Sequence, residues 1–100
     1  MIFIETPIFT EDVKELLSDE EYAEFQEYLA DNPLAGDVIQ QMRKVRWSFQ
    51  GKGKRGGVRI IYYYVTPASQ IRLLLIYKKG IQDDLTTDQK KMLRQLNERW

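Results

Sequence analysis

The spacing of hydrophobic and polar positions changes from helical to strand-like near residue 43. Before that point the spacing is helical. Tyr22, Phe25, Tyr28 and Leu29 follow one another at intervals of three, three and one, which lines them on one stripe of a helix. Glu20, Glu24, Glu27 and Asp31 fall on its other side. Ser18 with Glu21 three residues later forms a capping box at its start. Asn32 and Pro33 end it, because proline disfavours helix at the residue before it. A shorter helix is expected ahead of it, capped by Thr10, with Glu11 and Asp12 complementing the helix dipole in the first turn. Residues 33–37 read as a connecting loop.

After residue 43 the pattern is that of strands. Residues 43–49 set basic side chains around Val45 and Trp47. Residues 58–65 and 71–77 are β-branched and aromatic, and the short turn 66–69 makes them an antiparallel hairpin. Both carry apolar residues on both sides, so the sheet is expected to be buried, at least partly, on each face. Alternation along 58–65 puts Arg59, Ile61 and Tyr63 on one face, and Tyr62 and Tyr64 on the other. Thr86 and Gln89 offer another capping box, before a last helix striped by Met92, Leu93, Leu96 and Trp100. The expected architecture is α+β over one domain, residues 1–100. N-terminal helices pack on a small antiparallel sheet, and a C-terminal helix follows.

Composition narrows the chemistry. At 100 residues and 43% hydrophobic content the chain suits one folded core. It has no cysteine and no histidine. Disulfides, thiolate nucleophiles, cysteine zinc sites and the commonest general base at neutral pH are therefore ruled out. The longest apolar run, 73–77, is far below the roughly 20 residues of a membrane span, and the first residues lack the basic lead of a signal peptide. A soluble, cytoplasmic protein with no membrane partner is expected.

Charge adds more, because the net value of zero hides a division. Residues 1–37 hold eleven acids and one base, Lys14. Residues 38–82 hold ten bases and no acid. Residues 83–100 hold four of each sign. Two solvated faces can differ in sign by chance. A polyanion-facing surface in the middle segment explains the division better.

That segment contains the glycine-basic stretch GKGKRGG at 51–57. It lacks the P-loop signature, and a strand follows where a P-loop would have a helix. What remains is a turn bearing Lys52, Lys54 and Arg55 that leads into Arg59. It is either a solvated hairpin turn or a phosphate clamp whose glycines let the backbone approach. Most tyrosines of the run 62–64 suit a core, whereas Tyr63, on the Arg59 side, can stack on a base.

The segment GKGKRGGVRIIYYY at 51–64 resembles the core of HigB-like toxins in the RelE/ParE superfamily. LSDEEY at 17–22, NPLAGDVI at 32–39, RKVR at 43–46 and LLIYKK at 74–79 are similar too, in the same order over nearly the whole chain. The resemblance implies helices on an antiparallel sheet and ribosome-dependent cleavage of mRNA. It implies as partners the ribosome, mRNA and a neutralising antitoxin, with operator DNA met only through that antitoxin. The family's loop pair corresponds to Lys52 and Lys54, its strand arginine to Arg59 and its late basic residue to Lys79. Arg43, Lys44, Arg46, Arg55, Tyr63 and Lys78 are expected RNA contacts. Two departures stand out. A tyrosine that many relatives carry past the late basic residue is absent from 81–85 (IQDDL), leaving Tyr77 or Tyr63 in its stead. The connection before Arg43 is also shorter than the family's glycine-containing turn.

Strand cleavage through the 2′-hydroxyl needs a base, charge balance on the phosphorane and an acid for the 5′-oxygen. Residues 38–82 have no carboxylate to hold a metal, so no metal or other cofactor is expected. Lysine is a poor base at its ordinary pKa of about 10.4. Crowding among Lys52, Lys54 and Arg55 should push one lysine down. Arg59 can hold the phosphate with its planar fork, and Lys79 can contact it or protonate the leaving group. Two other readings keep the fold: a ParE-like gyrase inhibitor, and a non-enzymatic RNA- or ribosome-binding module.

Overall fold

The computed structural model describes residues 1–39, 41–47, 57–79 and 87–99. The elements run β1 (Ile2–Glu5), α1 (Pro7–Leu16), α2 (Asp19–Asp31), β2 (Asp37–Ile39), β3 (Met42–Trp47) and β4 (Val58–Val65). A 3-10 turn (Thr66–Ala68), β5 (Gln70–Lys78) and α3 (Thr87–Arg99) complete them. The five strands form one sheet in the order β1-β5-β4-β3-β2. The class is α+β as expected, with one change. β1 joins β5 in parallel, so the sheet is mixed, and a strand precedes the helices.

The helix starts follow capping chemistry. Ser18 and Glu21 make the reciprocal capping box at α2. At α1 the cap is Thr6, not Thr10: its Oγ1 accepts from the Phe9 amide at 3.1 Å, and Pro7 takes the first helical position, where no N–H is needed. Thr10 lies inside the helix, and its hydroxyl donates to Glu5 Oε1 (2.6 Å). Tyr22 donates to the other oxygen of that carboxylate (2.5 Å), tying β1, α1 and α2 together. Burial and this carboxylate neighbour both hold the Tyr22 hydroxyl well above its ordinary pKa.

Residues 37–39, where Asp37 was expected to close a loop, pair with β3 instead. Ile39 and Met42 are cross-strand partners, so the connection before Arg43 is a tight hairpin, with Gln41 at φ 74°. Glycine is required earlier. Gly36 has φ +89°, and a Cβ there would stand 2.2 Å from the Lys44 carbonyl oxygen.

Alternation sorts the strands onto two faces. Val45, Val58, Ile60, Tyr62, Ile71, Leu73 and Ile76 pack against Phe9, Val13 and Leu17 around α1 and Phe25 and Leu29 of α2. Met42, Ile61, Leu74 and Tyr77 cluster on the other face with Leu93 of α3. A β-bulge resets the phase of β5: Ile61 pairs with Leu75 but Tyr62 with Leu73, leaving Leu74 as the extra residue. Buried Thr6 clamps this point, its hydroxyl donating to the Leu74 carbonyl at 2.8 Å. Tyr62 closes the helix side, donating to the carbonyls of Pro33 (3.1 Å) and Ala35 (2.6 Å). Its burial pushes the hydroxyl pKa up to about 12.

Candidate functional site: a cationic sheet face

On the α3 side of the sheet, register places side chains in rows across three strands. Arg46 is the cross-strand partner of Arg59, and Arg59 of Tyr77. The next row is Lys44, Ile61 and Leu75. Beyond it Tyr63 pairs with Arg72. Strand alternation therefore gathers Lys44, Arg46, Arg59, Tyr63 and Arg72 on one face, and no strand from β3 to β5 contains an acid.

Arg59 is the unusual member. It is only 5% exposed, whereas its neighbour Arg46 is exposed. A guanidinium so buried, with a second one across the strand, is held in its charged form less firmly than usual. Desolvation lowers its pKa first and Arg46 lowers it further, while Tyr77 acts in the opposite sense. Arginine stays charged at neutral pH in any case, so the consequence is electrostatic. Like charges directly opposite in a sheet repel, and the Arg59 guanidinium also donates to the Val58 carbonyl at 3.3 Å.

The segment bearing Lys52, Lys54 and Arg55 lies outside the described residues. Its boundaries do not. Trp47 and Val58 are cross-strand partners, so the chain leaves and re-enters the sheet at one rung, next to the Arg46–Arg59 row. The Lys79 amide donates to the Gly57 carbonyl at 3.1 Å, which brings the end of β5 beside the same point. Arg59, Tyr77 and Lys79 thus adjoin the attachment of that segment.

Two expected contacts sit elsewhere. Arg43 alternates onto the helix side, where its guanidinium donates to the Leu34 carbonyl at 2.8 Å and braces the 33–36 turn. Lys78 pairs with Val58 of the helix-side core, so it does not share the face of Arg59. Lys44, Arg46 and Tyr63 share the face of Arg59, and for Tyr63 the alternation predicts this. Arg72 was missed by sequence reasoning because it lies in an apolar strand away from the basic clusters, and the bulge makes its face hard to infer. The stretch 81–85, where the family tyrosine is absent, is outside the described residues. Of its two expected stand-ins, Tyr77 adjoins Arg59 and Tyr63 does not.

An open cleft of about 350 Å³ lies on the helix side instead, lined by Tyr28, Asn32, Pro33, Leu34 and Ala35. Its lining presents no cation, and its only titratable side chain is the Tyr28 phenol.

No family model matches the sequence. Among solved structures, the isolated E. coli RelE toxin is similar over 95% of this chain and 97% of that one, with a TM-score of 0.60 and 9% identity. At so low an identity the likeness lies in the arrangement of the elements, and the chain has the fold of the RelE toxin.

Proposed function

We propose that this chain is the toxin of a toxin–antitoxin system, and that it cuts messenger RNA on the ribosome in the cytoplasm. One observation carries the reading: buried Arg59 lies in a row with Arg46 and Tyr77, at the rung where the segment holding Lys52 and Lys54 joins the sheet. The RelE-like fold adds to it, and so does the absence of acids from residues 38–82.

The reaction follows from these groups. A lysine of the pair Lys52 and Lys54, its charged form disfavoured by neighbouring cations, takes the proton of a ribose 2′-hydroxyl. The oxygen attacks the adjacent phosphorus. Arg59 receives the charge that grows on the phosphorane oxygens. The bond to the 5′-oxygen breaks as Lys79 supplies a proton, leaving a 2′,3′-cyclic phosphate and a free 5′-hydroxyl. Tyr77 acts beside Arg59 in place of the family tyrosine. A cognate antitoxin silences the chain. The acidic helices α1 and α2, on the side away from Arg59, favour an antitoxin with basic residues that blocks ribosome entry from there.

Incubating the purified protein with translating ribosomes tests this. Cut message with cyclic or 3′-phosphate ends, formed in EDTA at levels that spare the ribosome, is the expected result. Intact message, or 3′-hydroxyl ends, contradicts it. Gyrase inhibition would leave the message whole.

A further inference from the structure

We propose that Tyr63 and Arg72 form a platform on which a base of single-stranded RNA stacks, set apart from the phosphate position at Arg59. This rests on the cationic face being the RNA-facing one. Tyr63 and Arg72 are cross-strand partners on β4 and β5, and the guanidinium carbon lies 6.0 Å from the centre of the tyrosine ring. Gln70, two residues before Arg72 and hence on the same face, accepts from Arg72 Nε at 3.0 Å. The guanidinium is thereby oriented before any ligand arrives, and a pre-oriented planar group loses less entropy on stacking.

The surroundings suit a base. Tyr63 packs against the cluster of Met42, Ile61, Leu74, Tyr77 and Leu93, which anchors the ring, yet both Tyr63 and Arg72 remain half-exposed. An aromatic ring and a guanidinium plane are the two side-chain surfaces on which unstacked bases rest. Position along the strand matters as well. Tyr63 is four residues from Arg59, roughly 13 Å at about 3.3 Å per residue. That separation is longer than the distance from a base to its own phosphate, so the stacked base belongs to a different nucleotide from the phosphate held at Arg59. The platform then fixes where along the message the chain sits, while Arg59 acts on whichever phosphate arrives.

The probe is a short pyrimidine oligoribonucleotide, compared with the same ribose-phosphate chain lacking its bases, with binding to the full protein measured at low salt. The parent should bind the base-bearing strand roughly 5- to 140-fold more tightly, from about 1–3 kcal/mol per stacked base. Tyr63→Leu and Arg72→Gln should each cut that ratio severalfold while keeping weak affinity for the abasic strand. Tyr63→Phe preserves the ring and should restore most of the preference, which keeps the test decisive if Tyr63→Leu folds poorly. Arg59→Gln should weaken both strands about equally. No preference in the parent, or a preference that survives both Tyr63→Leu and Arg72→Gln, overturns the platform. A parent that shows the preference but leaves ribosome-bound message intact would sink the nuclease reading and leave the platform standing.

Discussion

On the helix side of the sheet, Tyr62 is fully buried and its hydroxyl reaches two backbone carbonyls; on the α3 side of the same strand, Arg59 is almost as buried and its cross-strand neighbour is another arginine. The first arrangement satisfies a polar group that burial would otherwise penalise by about 1–3 kcal/mol. The second sets a desolvated charge, which donates to the Val58 carbonyl at 3.3 Å, opposite a like charge that disfavours it. Both residues belong to β4, three positions apart, so local propensity cannot explain the contrast. One face of the sheet is built for stability. On the proposed function, the other face gives up some stability to place a charge for an anion, in keeping with the way local violations of the folding rules concentrate at functional sites.

The largest effect should come from opening the stable face. Phe25 is fully buried and meets Trp47 edge-on at 5.3 Å between ring centres. Phe25→Ala should cost about 3–5 kcal/mol, a large part of the total stability of a small domain, and denaturant melts would show the midpoint fall accordingly.

Next in size is the loss of function on the other face. Arg59→Met should lower the rate of message cleavage by about 100- to 1,000-fold, the scale expected when one preorganised donor to a transition state is removed. The same substitution should leave the melting midpoint unchanged or raise it, since it deletes one of two facing like charges. Single-turnover cleavage on ribosomes and a thermal melt of the same preparation check both halves.

The contrast also bears on how much the sequence discloses. The capping box at Ser18, the stripe of α2 and the split of Tyr62 from Tyr63 are all legible, because period and cap chemistry act within a few residues. β1 and β2 are not. Both are edge strands of three or four residues whose strand character comes from distant partners, β5 and β3. The true cap of α1 was within reach: Thr6 before Pro7 is a stronger start signal than Thr10. Arg59 stands out in sequence by its flanking glycine-basic stretch. Its rank beside Arg46 and Tyr77 needs the β3–β4–β5 register, and Arg72 needs the bulge at Leu74, so neither could be read along the chain.

A smaller effect should appear in alkali. Tyr62 ionises near pH 10 when unfolded but only near about 12 when folded. A group whose folded pKa is raised gives its full stability below the unfolded value and loses it as pH climbs through the folded one. Tyr22 shifts in the same direction. Stability should therefore fall between about pH 10 and 12, by roughly 2–3 kcal/mol from Tyr62. Tyr62→Phe should flatten that part of the profile, as denaturant melts at stepped pH would show. Smaller still, Ser18→Ala removes the α2 cap and should cost about 1 kcal/mol without changing cleavage by the folded protein.

The division of labour between the two faces is tested most directly by measuring stability and message cleavage on one sample of Arg59→Met. A protein at least as stable as the parent that no longer cuts ribosome-bound message is the predicted result. A variant that melts several degrees lower while its folded fraction cuts at the parent's rate would contradict the account, because Arg59 would then be serving the core.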